Sequence, residues 1–286
     1  MAFAPEVFLI GAQKAGTTSL ATLLDAHPRI QVARPKEPHY FTQNVHLGEG
    51  WYRACFKNAD EHLLVDASTS YTSAPLGSGE GGGTSPMAGV AQRLRAHRPD
   101  ARFIYIVREP VARTYSAYWH NVRNGDESLS FRDALEADDS YLRVSDYSGQ
   151  LALYLEHFDL QAFFITTFER FSRDPHAVVR DCYRFLGLPD DIELSPKASE
   201  TRNRSYTYNP AGRLLARMLG ESTGLKYVTG IAKRSIPPTL YNLAGQLLTR
   251  GIPPISPADR AELEEYFRPR NRRFREMTGI GTGYAE

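Results

Sequence analysis

The feature that most constrains the fold of this chain is a glycine-rich loop between an apolar segment and a helical one. Residues 6–10 form a short apolar run, residues 11–18 are the loop, and Leu20, Leu23 and Leu24 then recur at helical spacing. An apolar run that ends in glycine predicts a buried parallel strand. Glycines let successive backbone N–H groups point at an anion, and the following helix N-terminus adds partial positive charge. The segment therefore predicts an anion-binding strand–loop–helix unit.

The position of the lysine separates this loop from the usual nucleoside-triphosphate loop. The spacing of Gly11 and Gly16 is similar to a P-loop, which places lysine directly after its second glycine and then a Ser/Thr for magnesium. Here Thr17 follows Gly16, and the lysine is displaced to Lys14. Lys14 can still reach a phosphate or sulfate oxygen. The predicted anion-binding residues of the loop are Gln13, Lys14, Ala15, Gly16, Thr17 and Thr18.

The rest of the chain alternates strand and helix signals. Further strands are predicted at residues 63–65, 103–107 and 162–166, with helical segments between them and a long C-terminal helix that opens at Ser256-Pro257. This alternation predicts an α/β fold, a P-loop-type central parallel sheet flanked by helices, as a single domain over residues 1–286. Two segments are expected to vary and to contact the substrate: a glycine-rich loop near 77–86 and an amphipathic helical segment near 209–250.

A second anion site is predicted after the strand at 103–107. Arg108 follows that strand at its carboxyl end, where open α/β sheets bind ligands. Ser116 lies about two turns into the next predicted helix, on a face that can turn toward the same crevice. A guanidinium and a hydroxyl suit a phosphate, because the guanidinium supplies paired charge-assisted hydrogen bonds.

Charge, cysteine count and hydropathy exclude several classes of function. The net charge is +1, which implies no general attraction to nucleic acid. Two cysteines do not form a disulfide framework or a metal cluster, and no segment approaches the roughly 20 apolar residues of a transmembrane helix. A cytoplasmic protein without stable membrane insertion is expected. The oligomeric state is left open.

Residues 11–19, Gly-Ala-Gln-Lys-Ala-Gly-Thr-Thr-Ser, resemble the 5′-phosphosulfate-binding loop of sulfotransferases that use 3′-phosphoadenosine 5′-phosphosulfate (PAPS). The similarity is greatest to the branch of the heparan sulfate sulfotransferases and their bacterial relatives. It implies that PAPS is the donor, that PAP is the product, that no metal is needed, and that Arg108 and Ser116 bind the 3′-phosphate. Arg204, in the basic run 202–204, is the weak counterpart of a family loop that covers the nucleotide.

The same resemblance proposes the catalytic residues. Residues 36–41, Lys-Glu-Pro-His-Tyr-Phe, are similar to the segment that carries the catalytic base, which corresponds to Glu37. Pro38 favours an extended Glu37, and in an extended stretch Glu37 and His39 point to the same side. Either carboxylate or imidazole can act as the general base. Glu37 is the preferred base, His39 is expected to position the reactants, and Lys14 is expected to neutralise charge on the leaving group. The alternative is that Glu37 only forms an ion pair with Lys36 or Arg34 on a loop and that His39 is merely packed.

One departure from the family concerns a cation. The family has a lysine near the transferring sulfate at the position of Ala67, so Lys14 or another cation must supply that charge. Asp66, which precedes Ala67, and the hydroxyls of residues 68–70 are candidates to shape the acceptor pocket.

The predicted function is sulfuryl transfer to a hydroxyl, less readily an amine, of a glycan, glycolipid or small-molecule natural product in a bacterial cell. Two alternatives remain. In a P-loop kinase or NTPase, Asp66 would bind magnesium. In a non-catalytic PAP-binding protein, the fold would persist without transfer.

Overall fold

The fold is known from a computed structural model that describes residues 3–57, 59, 61–76, 85–192, 206–208 and 249–283. The chain groups into two compact units. The first consists of Met1–Thr114, Asp139–Arg202 and Ala261–Glu286, and the second consists of Tyr115–Asp138 and Asn203–Arg260. The single domain expected from the sequence stays a prediction.

A five-stranded parallel sheet forms the centre of the first unit, as the strand–helix alternation predicts. The strand order is β2-β3-β1-β4-β5. Its strands are β1 (Val7–Gly11), β2 (Ile30–Val32), β3 (Leu63–Asp66), β4 (Arg102–Val107) and β5 (Phe163–Thr167). All strand pairs are parallel. Every residue of β1 is buried, which fits its uninterrupted apolar sequence.

Helices connect the strands. Those of the described residues are α1 (Thr17–Leu24), α2 (Gly48–Ala54), α3 (Val90–His97), α4 (Pro110–Asn124), α5 (Phe131–Ala137), α6 (Ser140–Arg143), α7 (Tyr147–Leu155), α8 (Phe168–Arg173), α9 (Pro175–Phe185) and α10 (Pro257–Thr278). Short turns of 3-10 or π geometry lie at Tyr40–Asn44, Val45–Leu47, Thr69–Thr72 and Leu160–Ala162. Local sequence explains α9: the Asp174 side chain accepts the N–H of Ala177, proline occupies the first turn, and Gly187 follows with a left-handed φ of 69°.

The strand order places the site. The chain leaves β1 toward β2 on one side and leaves β4 toward β5 on the other, although β1 and β4 are neighbours. The carboxyl ends of β1 and β4 therefore form the point where the connections diverge, which is where open α/β sheets bind ligands.

Aromatic side chains fix the register of the central strands. Phe8 lies opposite Phe103, and Phe103 lies opposite Phe163. The rings stack with centroids 6.0 Å apart for the first pair and 4.7 Å for the second. A one-residue slip would move each of these rings to the other face, so the aromatic row opposes such a slip.

The second unit contains residues 115–124 of α4, helix α5, an antiparallel pair and the first turn of α10. The pair joins β6 (Tyr206–Tyr208) to β7 (Thr249–Gly251). Tyr115 packs edge-on against Phe131 with ring centroids 5.0 Å apart, and Arg132 donates to Asp259 at 2.8 Å.

Parts of the expected variable segments fall outside the described residues. This holds for 77–84 of the glycine-rich loop and for 209–248 of the predicted helical segment, whose last two positions belong to β7. Within the described ranges, no helix combines the length and apolar character needed to cross a bilayer.

Candidate active site

The loop after β1 has the conformation that the glycine pattern predicts. Gly16 directly precedes α1 with a left-handed φ of 91°, and a Cβ placed on it would lie 3.0 Å from the Phe168 ring. Lys14 also has a left-handed φ, of 72°. Helix α1 has neither a side-chain cap nor an acidic residue in its first turn. No carboxylate of the helix itself therefore neutralises the partial positive charge at its first N–H groups, and this charge can attract an anion.

The six loop residues predicted to bind the anion differ in exposure. Gln13 and Thr18 are exposed, Lys14 and Gly16 are half-buried, and Ala15 and Thr17 are buried. The N–H of Ala15 donates to the Ala12 carbonyl at 3.1 Å, so this amide closes the loop. The neighbouring amides and the Lys14 side chain remain the candidate anion contacts.

Arg108 lies against the same loop. It follows β4, and its Nη1 donates to the Lys14 carbonyl at 3.1 Å. Its guanidinium stands 4.8 Å from the centre of the Phe168 ring. Burial lowers the pKa of Arg108, although the neighbouring Glu169 and Glu109 oppose the shift. An arginine held over an aromatic face and braced on the loop is pre-organised for a phosphate.

The other residues proposed for the 3′-phosphate are placed less fully. Ser116 lies on helix α4, as the sequence predicts, and is buried, but it belongs to the second compact unit. Its contact with the phosphate stays a prediction. Arg204 lies outside the described residues.

Glu37 lies between the phosphate loop and the turn after β3. Its Oε1 pairs with Lys36 Nζ at 2.7 Å, and its Oε2 accepts the Thr69 hydroxyl at 2.7 Å and the Thr69 N–H at 3.3 Å. Burial alone would raise the pKa of Glu37. The Lys36 charge and the hydrogen bonds from Lys36 and Thr69 outweigh burial and hold the pKa below its usual value. Glu37 is therefore ionised at neutral pH, as a general base must be.

His39 is brought next to Glu37 by a conformation that differs from the predicted one. The expectation of an extended stretch is wrong at His39, whose φ of 53° and ψ of 30° are left-handed. The imidazole still faces the carboxylate, with 3.8 Å between Nε2 and Glu37 Oε2, while Nδ1 contacts the Ser70 hydroxyl at 2.8 Å. A left-handed non-glycine residue stores strain of about 1–3 kcal/mol, and such strain concentrates at functional sites.

Asp66 proves to be a structural residue. It is fully buried, and its two oxygens accept from Tyr52 Oη at 2.6 Å, Tyr71 Oη at 2.7 Å, Ser68 Oγ at 2.6 Å and Ser68 N at 2.9 Å. Four donors occupy the carboxylate. It is therefore poorly placed either to line an acceptor pocket or to bind magnesium.

Two contributors were missed from the sequence: Thr69 and Phe168. Thr69 belongs to the hydroxyl-rich segment at residues 68–70, but its partner Glu37 is far away in the chain. Phe168 directly follows β5, next to β4, so its position beside Arg108 could be inferred once the strand order was known. Lys36 was expected only as a possible ion-pair partner of Glu37, in the alternative in which Glu37 is not the base, and that ion pair is present.

Comparisons with known proteins agree with this geometry. Residues 5–192 match the model of the Sulfotransferase family. The chain is 26% identical to mouse heparan sulfate glucosamine 3-O-sulfotransferase 3A1, over 98% of the chain and 64% of the relative. It is 27% identical to the human 3-O-sulfotransferase 6, over 98% of the chain and 73% of the relative. The chain thus spans less than two thirds of the mouse enzyme.

A solved structure extends the similarity to the fold. The crystal structure of a sulfotransferase from Alicyclobacillus acidocaldarius superposes with a TM-score of 0.67 at 25% identity, covering 97% of this chain and 96% of that one. The family model covers more than half of the sequence, and the fold of the chain is similar to that of a solved sulfotransferase. This chain therefore belongs to the sulfotransferase family.

Proposed function

We propose that the chain transfers the sulfuryl group of PAPS to a hydroxyl, less readily an amine, of a glycan or related acceptor. The observation that carries the proposal is the contact, at neighbouring strand ends, of two groups whose chemistry suits an anion. The loop after β1 meets Arg108 after β4, with 3.1 Å between Arg108 Nη1 and the Lys14 carbonyl. A nucleotide with a phosphate at each end suits two such groups.

The residues divide the chemistry among them. PAPS supplies an activated sulfuryl group on a phosphate leaving group. The amides before α1, Lys14, Thr17 and Thr18 bind the 5′ end, and Arg108 with Ser116 binds the 3′-phosphate. Glu37 takes the proton from the acceptor oxygen as that oxygen attacks sulfur, the sulfur–oxygen bond to the phosphate breaks, and Lys14 stabilises the charge on the departing oxygen. Positioning and electrostatic stabilisation account for most of such a transfer.

The kinase alternative is weakened by Asp66. A magnesium-binding aspartate needs free carboxylate lone pairs, whereas four donors engage Asp66. The displacement of the lysine to position 14, away from the place it has in kinase loops, also argues against a kinase.

Nucleotide binding provides the first experiment. Calorimetry should detect binding of PAP in the absence of magnesium. PAP should also raise the melting temperature of the protein more than Mg-ATP does. Preference for Mg-ATP would refute the proposal in favour of the kinase reading.

Transfer provides the second experiment. Radiolabelled PAPS is offered with heparan sulfate, because the relatives named above act on that glycan, and with a panel of small hydroxyl acceptors. Glu37→Gln should lose about 10²–10⁴-fold in kcat while PAP affinity is retained. The control is Glu156→Gln, an exposed residue at the end of α7 that should leave kcat unchanged. Unchanged transfer by Glu37→Gln would reject Glu37 as the base and direct attention to His39.

The remaining expectations are proposals of the same kind. Binding of PAP without transfer to any acceptor would favour the non-catalytic alternative. The acceptor class, the cytoplasmic and bacterial setting and the metal-free reaction are proposed here on the family resemblance, and metal independence is tested by transfer in excess EDTA.

A further inference from the structure

We propose that Lys36 is a positioning residue of the transfer reaction, which keeps Glu37 ionised and aimed and whose ammonium is released toward the phosphate loop when Glu37 takes up the acceptor proton. The inference rests on the proposed function. From the sequence, Lys36 is expected only as a possible ion-pair partner of Glu37, without a part in the reaction.

The first support is the placement of the ammonium between two parts of the site. Lys36 Nζ lies 2.7 Å from Glu37 Oε1 and 3.4 Å from Thr18 Oγ1, at the start of α1. The side chains of Lys36 and Glu37 are only 19% and 29% exposed. A pair so shielded from water interacts more strongly than an exposed one, and it links the candidate base directly to the candidate anion loop.

The second support is the protein environment of Glu37. Among the described residues, Lys36 and, at 3.8 Å, His39 are charged or titratable groups that face Glu37. Thr69 adds two hydrogen bonds to the other carboxylate oxygen. Burial raises the pKa of Glu37, and Lys36 is the largest influence that lowers it. Lys36 therefore keeps a partly buried carboxylate available as a base.

The third support is the neighbourhood of Ala67, where the chain departs from the family by lacking a lysine. The Ala67 N–H donates to the Lys36 carbonyl at 3.3 Å, so the two positions adjoin in space. The backbone of Lys36 therefore adjoins Ala67, and the Lys36 ammonium lies beside Glu37 and Thr18.

The charge balance during transfer gives Lys36 its second task. The acceptor oxygen bonds to sulfur, the electron pair of the broken sulfur–oxygen bond goes to the phosphate of PAP, and the acceptor proton goes to Glu37. Protonation removes the negative charge that holds Lys36. Its positive charge is then unpaired at the moment when negative charge accumulates on the leaving group beside Thr18, which favours that state electrostatically.

The test compares Lys36→Met with Lys36→Arg, and it uses Lys57→Met, at an exposed lysine, as the control. The Glu37 carboxyl is titrated by ¹³C NMR in the free protein, with Glu37→Gln to assign the signal. Lys36→Met should raise the pKa of Glu37, whereas Lys36→Arg and Lys57→Met should leave it near the wild-type value. This readout needs neither nucleotide nor acceptor.

The kinetic arm uses the same variants with PAPS and the acceptor found for the wild type. Lys36→Met should lower kcat at least about tenfold, and it should shift the acid limb of the pH profile of kcat to higher pH. The Kd of PAP should change less than about threefold. Lys36→Arg should recover most of kcat.

Three results would overturn the inference: an unshifted Glu37 titration in Lys36→Met, an unchanged kcat, or a loss of PAP affinity as large as the loss of kcat, which would make Lys36 a nucleotide ligand. Failure of the proposed function is a separate result, since it appears as a wild-type protein that does not bind PAP. If Lys36→Met does not fold, Lys36→Gln and the arginine variant answer the NMR question.

Discussion

Replacing Asp66 gives the sharpest test of how the site is supported. We expect Asp66→Ala to destabilise the protein strongly without acting on nucleotide binding. The substitution removes the acceptor of four hydrogen bonds inside a fully buried pocket. It leaves the hydroxyls of Tyr52 and Tyr71 and both donors of Ser68 without that acceptor.

The magnitude follows from these four donors. Each buried donor left unsatisfied costs about 1–3 kcal/mol. Water entering the space left by the carboxylate can satisfy some of these donors. We therefore expect a loss of about 3–5 kcal/mol in the free energy of unfolding. Asp66→Asn keeps the shape and one acceptor oxygen, and it should lose about 1–2 kcal/mol.

The assay is urea unfolding at neutral pH, followed by tryptophan fluorescence. Asp100→Ala is the control, since the side chain of Asp100 is 77% exposed and its removal should change stability by less than about 0.5 kcal/mol. A loss below about 1 kcal/mol for Asp66→Ala would refute the reasoning. If Asp66→Asn instead abolished a magnesium-dependent nucleotide affinity present in the wild type, Asp66 would be a metal ligand.

Three further predictions concern the loop, the arginine and the base. Gly16→Ala should cost about 2–4 kcal/mol of stability and weaken PAP binding, because the added Cβ would approach Phe168 to 3.0 Å at a φ of 91°. The control is Gly187→Ala, where φ is 69° but a Cβ meets no neighbouring atom, and it should cost only about 1–2 kcal/mol. Equal losses in urea unfolding would contradict the packing argument. Phe168→Leu should weaken the Kd of PAP about 3- to 30-fold by removing the ring beneath Arg108, and an unchanged Kd by calorimetry would show that the ring does not hold the guanidinium. Finally, the pKa of Glu37 is lower in the folded state than in the unfolded state, so ionised Glu37 stabilises the fold above about pH 4.3. This stabilisation disappears as the pH falls through the pKa that Glu37 has in the folded protein. The difference in urea midpoint between wild type and Glu37→Gln should therefore narrow from neutral pH to about pH 3, and a constant difference would exclude the shift.

Much of the fold could be predicted because its signals are local. The strands at 63–66, 102–107 and 163–167 are nearly continuous apolar runs, and the boundaries of α9 follow from Asp174, its proline and Gly187. Strand β2 was missed, since three residues are too few to show a period. The π-helical turn after His39 was also missed, because its left-handed start is unfavourable for a histidine and is maintained by contacts to Ser68 and Ser70.

The sequence by itself determined the glycine-rich loop after β1 and the arginine after β4, and its resemblance to known motifs indicated the family. The loop and the arginine depend on residues that are adjacent in the chain or at a fixed spacing, so backbone geometry and residue type suffice to predict them.

Only the tertiary structure decided how the candidate base is held and what Asp66 does. Thr18, Lys36 and Thr69 follow β1, β2 and β3, three strands that lie side by side although long connections separate them in sequence. Their contacts with Glu37 or with one another arise because parallel strands bring their carboxyl ends to one edge of a sheet. No local pattern encodes that meeting. Likewise, Asp66 could read as a metal ligand or a pocket residue until the packed core placed two tyrosines and a serine around its carboxylate.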